Sequence, residues 1–293
     1  MSKTGAKLLL LAVFAARGTS FIFSKTLLAT QTPENIMAVR FLTAFLVLAL
    51  VFRKKVLACS KESLKGGIIL GILYMVCMFC EMYGLRRVDS GVAAFIENMA
   101  IILVPIYVAL LTRTRPKTKT LLCALIAVIG VGFLSLSQVT DSFNPYLLLT
   151  ISAALSYGVC IIATEKVAAK GDPLTIGIIQ IGVMGLIALA AALIKGDFAL
   201  PASGREWFMV LMLALVCSCF GFAFQPVGQK YLPSETAAVF TVVNPLVASI
   251  LGLVVAKEPL GPAKIIGYLL ILAALIYYNL ETGKQKAQAA YKE

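Results

Sequence analysis

Apolar residues along this chain fall into blocks of about twenty, the length at which a helix crosses a bilayer core. Short polar stretches carrying Lys, Arg, Pro and Gly separate the blocks. The pattern predicts ten membrane-spanning helices, at residues 6–29, 35–52, 66–85, 90–111, 119–137, 145–164, 174–194, 207–225, 235–256 and 263–280. Pro33, Pro116, Pro145, Pro173, Pro233 and Pro262 lie at or near block ends, where helix breakers belong. Connections this short leave no room for a catalytic domain outside the membrane. The one longer polar stretch, from Glu281 to Glu293, reads as a mobile tail. Composition agrees: 60% of the 293 residues are hydrophobic and 14% charged, against about 45–50% and about 25% in soluble domains.

The blocks also repeat. Glu81, Gly84, Arg86, Ser90, Ala93 and Ala94 recur as Gln225, Gly228, Lys230, Ser234, Ala237 and Ala238, each shifted by 144 positions. The expected organisation is a first repeat over 1–140, a second over 141–281 and a polar tail over 282–293. With five spans in each, an odd number, the two copies lie in opposite orientations. The predicted fold is therefore an all-α membrane protein of ten transmembrane helices in two inverted five-helix repeats, an architecture of secondary transporters.

Charge sets the expected topology. The net charge of +12 reflects loop lysines and arginines rather than a nucleic-acid surface. With the N-terminus inside, seventeen of the 26 Lys and Arg residues lie on inner segments and six on outer ones. That bias places both termini in the cytoplasm and the chain in a cell membrane as a multi-pass protein. Lys3 and Lys7 before an apolar run imitate a signal peptide, but the run continues through Leu27 and reads as an uncleaved first span. The seven cysteines lie mostly inside spans, where the thiol behaves as a small apolar group. No histidine is present to complete a mixed zinc site, and no metal or other cofactor is expected.

The duplicated motifs resemble the ten-helix EamA family of the drug/metabolite transporter superfamily. The resemblance rests on Arg17-Gly18-Thr19-Ser20-Phe21 with Ser156-Tyr157-Gly158, on Arg40-Phe41, and on Ser90 through Ile96 with Val104-Pro105. It continues through Gln225 to Lys230, Asn244-Pro245-Leu246, Lys257-Glu258-Pro259-Leu260 and Ile266-Gly267. It implies transport of a small metabolite, such as an amino acid or amphipathic amine, through a cavity between the halves. The sequence departs from the family pattern at Arg17, Glu81 and Glu97, where Trp, an amide and a small or hydroxyl residue are common.

Charges within spans are costly and usually face a bundle interior. Arg17 falls near mid-depth of the first span, with Ser20 on the same helical face. It either touches substrate or a coupling ion, or holds the fold by bonding helix-end carbonyls. At about 1.5 Å per residue, Glu97 lies roughly 10 Å and Glu81 roughly 6 Å below the predicted outer surface. Both can face one vestibule, or pair with Arg40, Arg86 or Arg87. Tyr74, Asn98, Tyr157, Gln225 and Asn244 are further binding candidates, and Gln180 a weaker one. Arg40 reads as fold-holding, Pro105 and Pro245 as kinks, and Glu258 as a loop or helix cap.

Three function classes compete. A secondary transporter, exporting a metabolite and driven by protons or a counter-solute, fits best; an uptake carrier or exchanger of the same fold is the alternative. An intramembrane enzyme lacks support: with no histidine, HExxH sites and His-based triads are impossible, and the Asp residues all lie in predicted loops. A channel would need a continuous polar pore, which too few spans offer. The expected partners are a small-molecule substrate, protons and the lipid bilayer, with no nucleic acid, as a monomer or homodimer.

Overall fold

A computed structural model describes residues 1–115, 118–136 and 144–290. The described chain is helical, with no strand among those residues. Eight helices are long and apolar enough to cross a membrane. They are α1 (Lys3–Leu27), α2 (Pro33–Val51), α3 (Lys61–Leu85), α4 (Ser90–Leu111), α6 (Tyr146–Ala168), α7 (Pro173–Lys195), α8 (Gly204–Gln229) and α9 (Ser234–Val254). Two more, α5 (Thr118–Leu136) and α10 (Pro262–Ala290), pack on each other. Their apolar stretches among the described residues are shorter, Leu125–Leu134 and Pro262–Ala274. The last helix does not stop at Glu281 as the sequence reading has it. It runs to Ala290, since Ala, Lys and Gln are good helix formers.

Local chemistry explains the ends. Pro33 and Pro173 open α2 and α7 after Thr32 and Asp172, whose side chains accept from the N–H three residues on. Ser60 and Ser203 cap α3 and α8 in the same way. Gly196 ends α7 at φ 71°, a left-handed geometry that costs other residues more.

Lipid tails are as apolar as leucine, so burial alone does not bring these helices together; close van der Waals approach does. Small residues supply it. A Cβ at Gly67 or Gly71 of α3 would lie 2.6 Å from Ile179 or Val183 of α7. Gly185 of α7 meets Leu42 of α2, and Gly84 of α3 meets Thr150 of α6. The buried interior thus joins α2, α3, α6, α7 and α8, drawing on both halves.

Three helices break inside the bundle. The α1 segments Lys3–Gly18 and Ser20–Leu27 meet at Thr19. Segments Ser90–Glu97 and Ala100–Leu111 of α4 meet at Asn98 and Met99, and Ser234–Phe240 and Val243–Val254 of α9 meet at Thr241 and Val242. The breaks lie together: the Thr241 hydroxyl donates to Asn98 Oδ1 at 2.7 Å, and Gly18 packs on the Asn244 backbone. Pro245 leaves the Thr241 carbonyl without its usual helical donor, and the Asn244 N–H takes it at 2.9 Å instead. Between residues 213 and 222, α8 widens into a π-helix, a form that recurs at functional sites.

Candidate functional site

Arg17 sits beside the α1 break, 5% exposed, at the centre of a polar network that spans both halves. Its Nη1 donates to Gln225 Oε1 at 2.6 Å and to the Tyr157 hydroxyl at 3.1 Å. Gln225 in turn donates to the Tyr74 hydroxyl and to Gln229 Oε1, each at 2.8 Å. Gln229 reaches the Ile161 carbonyl, and the Tyr74 hydroxyl lies 3.4 Å from Thr164 Oγ1. Aromatic faces enclose the guanidinium: its carbon is 4.3 Å from the Phe222 centroid, 4.9 Å from that of Tyr157 and 5.9 Å from that of Tyr74. A cation held among ring faces is favoured by their quadrupoles.

Glu81 shares a face of α3 with Tyr74, two turns away, and Glu97 ends the first segment of α4. Both are buried, not open to a vestibule. Their carboxyl groups lie close to each other. Glu97 Oε2 has no hydrogen-bond partner among the described residues. Neither glutamate forms an ion pair with Arg40, Arg86 or Arg87, which sets aside that alternative among the described residues. Both lie within the electrostatic reach of Arg17, and Glu81 within that of Arg40 as well.

Arg40 also approaches Phe222, whose ring centroid stands 5.7 Å from its guanidinium carbon. Its Nε donates to Ser218 Oγ at 2.7 Å, while Nη1 and Nη2 are buried without hydrogen-bond partners among the described residues. Ser218 belongs to the π-helix and donates to the carbonyl five residues back, Leu213. Asn98 Nδ2, Gln180 Oε1 and Asn244 Oδ1 are likewise buried and unpartnered. Ser20 is buried at the α1 break and makes no hydrogen bond to Arg17. Unmet polar groups in a buried interior are costly and mark sites that water or a ligand can fill.

Sequence reasoning missed Ser218, Gln229 and Thr164. Gln229 was within reach, one helical turn after Gln225 on the same face. Ser218 had no signal, because its position depends on the π-turn.

The two ends of the bundle differ. At the end predicted to face outward, Glu258 accepts from Ser90 N at 2.7 Å, Ser90 Oγ at 2.5 Å and Gly91 N at 3.4 Å, capping α4. Lys264 joins Asp89 at 2.7 Å, and Lys25 donates to the carbonyls of Leu85 and Val88. At the opposite end Ser234, the repeat counterpart of Ser90, gives its N–H to Glu165 at 2.7 Å. Glu258 reaches α4 from the other half, whereas Glu165 and Ser234 belong to one half. A groove of about 300 Å³ opens beside Ser234, between Leu111 at the end of α4, the following Thr112, and Ile162 of α6.

The EamA-like transporter family model matches the chain twice, over residues 3–136 and 144–280. The chain belongs to the EamA-like transporter family. Among similar EamA proteins, the biotin transporter of Salmonella typhimurium is 24% identical over 79% of this chain and 77% of its own. The pseudopaline exporter of Pseudomonas aeruginosa is 24% identical over 71% of this chain and 73% of its own. An uncharacterized transporter of Bacillus subtilis is 24% identical over 99% of this chain and 91% of its own. A solved crystal structure superposes with a TM-score of 0.69 at 16% identity, covering 97% of this chain and 99% of that one, which shows the shared fold. This EamA protein is thus a multi-pass membrane protein with a general transporter role.

Proposed function

We propose that this EamA protein is a secondary active transporter that exports a small metabolite by alternating access between its halves. Ten membrane crossings with both termini in the cytoplasm complete the reading, supported by the seventeen-to-six charge bias. The observation that carries it is the Arg17 network. Arg17 and Tyr74 from the first half meet Tyr157 and Gln225 from the second where three helices break. Broken helices at the repeat interface are where such carriers bind solute. The Phe222, Tyr74 and Tyr157 faces that enclose Arg17 offer apolar and cation-accepting surface to an amino acid or amphipathic amine once the halves part. The buried Glu81–Glu97 pair holds the coupling proton, which a substrate ammonium replaces. Glu258 and Lys264 close the outer end, and the groove beside Ser234 begins the inner path.

The test is counterflow in proteoliposomes, preceded by a thermal-shift screen against amino acids, polyamines, quaternary amines and nucleosides. A stabilising solute should accumulate against an unlabelled internal pool, and Arg17→Gln should abolish its accumulation. Ion conductance without counterflow would sink the carrier reading. The same solute accumulating only from outside to inside under a proton gradient would favour the uptake alternative.

A further inference from the structure

We propose that the groove between the starts of α3 and the end of α6 binds the headgroup of an anionic phospholipid. The groove measures about 390 Å³ and lies at the end of the bundle opposite Glu258. Lys61 and Lys65 of α3 line one wall, and Lys166 and Lys170 from the end of α6 the other. Glu62 is the one carboxylate among its lining residues. Four ammonium groups against one carboxylate leave an uncompensated positive charge where a lipid phosphate would lie.

Packing holds the lysines together against their mutual repulsion. Gly66 forms the floor, and a Cβ there would collide with Val167 of α6, so the helices approach as closely as their backbones permit. Ser63, buried beneath, accepts from Asp172 N at 3.0 Å and ties the turn after α6 to the first turn of α3. The walls are therefore set before any ligand arrives.

Continuity with an apolar track selects a lipid over a free anion. A second groove of about 240 Å³ shares Lys61, Lys65 and Ile69 and passes over Leu64 and Ile68. Farther along α3, Ile72 and Val76 are 49% and 54% exposed, extending the apolar strip toward the bilayer centre. An acyl chain lies along this strip while its phosphate sits among the lysines. The lipid then bridges a helix of the first half and a helix of the second at the end where the inner path begins.

The full chain, in neutral detergent, is incubated with equal amounts of dioleoyl-phosphatidylglycerol and dioleoyl-phosphatidylcholine, and retained lipid is read by native mass spectrometry. The unmodified protein should favour phosphatidylglycerol by about tenfold. Lys61→Gln/Lys65→Gln/Lys166→Gln/Lys170→Gln should bring the ratio near parity. Lys3→Gln/Lys7→Gln/Arg53→Gln/Lys54→Gln, which removes four exposed charges elsewhere, should keep the preference. Glu62→Gln should strengthen it, and decides the matter if the first variant fails to fold. Excess inorganic phosphate should displace nothing. No preference in the unmodified protein, equal losses in both quadruple variants, or displacement by phosphate would overturn the proposal.

Discussion

Removing the Glu258 carboxylate should unlock one end of the transporter. Its oxygens accept two short bonds from Ser90 and a longer one from Gly91, and its side chain is only 8% exposed. Hydrogen bonds to a charged group contribute about 1.5–3 kcal/mol each. The carboxylate at a partly buried helix start adds up to about 2 kcal/mol. Lys264 keeps Asp89 when Glu258 is lost, so that part of the network survives. Allowing for water replacing some of the lost bonds, Glu258→Ala should cost the sealed arrangement about 3 kcal/mol, a factor on the order of 100 in the ratio of closed to open. Ser90→Ala, which removes the 2.5 Å hydroxyl bond and leaves both N–H groups engaged, should cost about 1 kcal/mol, roughly fivefold. The assay uses Ser20→Cys in a cysteine-free background as a near-isosteric reporter at the α1 break, labelled from outside by a membrane-impermeant maleimide. Labelling should be slow in the parent, faster with Ser90→Ala and fastest with Glu258→Ala. Equal rates in all three, with unchanged unfolding temperatures, would refute the claim that this cap holds the halves together.

Three other outcomes follow from the geometry. Glu97→Gln preserves shape while removing the ionisable group, so the variant should fold, bind solute and lose the pH dependence of transport; an unchanged pH profile in it and in Glu81→Gln/Glu97→Gln would remove the pair from coupling. Gly71→Leu should prevent stable assembly, because a first added carbon already meets Val183 at 2.6 Å; overpacking of this kind costs about 1–3 kcal/mol or more, and an unaltered unfolding temperature in detergent would contradict it. Asp172 is pushed up by partial burial, but bonds from Thr175 and Lys55 outweigh this and hold its carboxyl below the usual range. Its contribution is therefore present above the unfolded value of about 3.9 and fades as pH falls below it. Unfolding temperature should drop more steeply with acid in the parent than in Asp172→Asn, and parallel curves would count against the cap.

Much of this protein was legible in one dimension because the membrane imposes one-dimensional rules. A helix must be about twenty apolar residues long to cross, so the blocks predicted where the eight long apolar helices lie, though not that the last helix runs on to Ala290. The shift of 144 between Glu81 and Gln225 and between Ser90 and Ser234 identified the duplication without any fold. Buried charge is costly wherever it falls in a span, which singled out Arg17, Glu81 and Glu97 as interior residues. Composition has no equivalent rule for direction or partner. Only packing decided that Arg17 binds Gln225, 208 positions away, rather than a helix-end carbonyl. It also decided that the two glutamates are buried close to each other, with no direct ion pair to Arg40 among the described residues. Arg40 bonds Ser218 because a π-turn rotates that serine inward, a register shift that the sequence pattern does not encode. The caps on Ser90 and Ser234 show the same division. The repeat makes the serines equivalent, but whether each carboxylate comes from the same half or the other depends on how the helices pack in three dimensions.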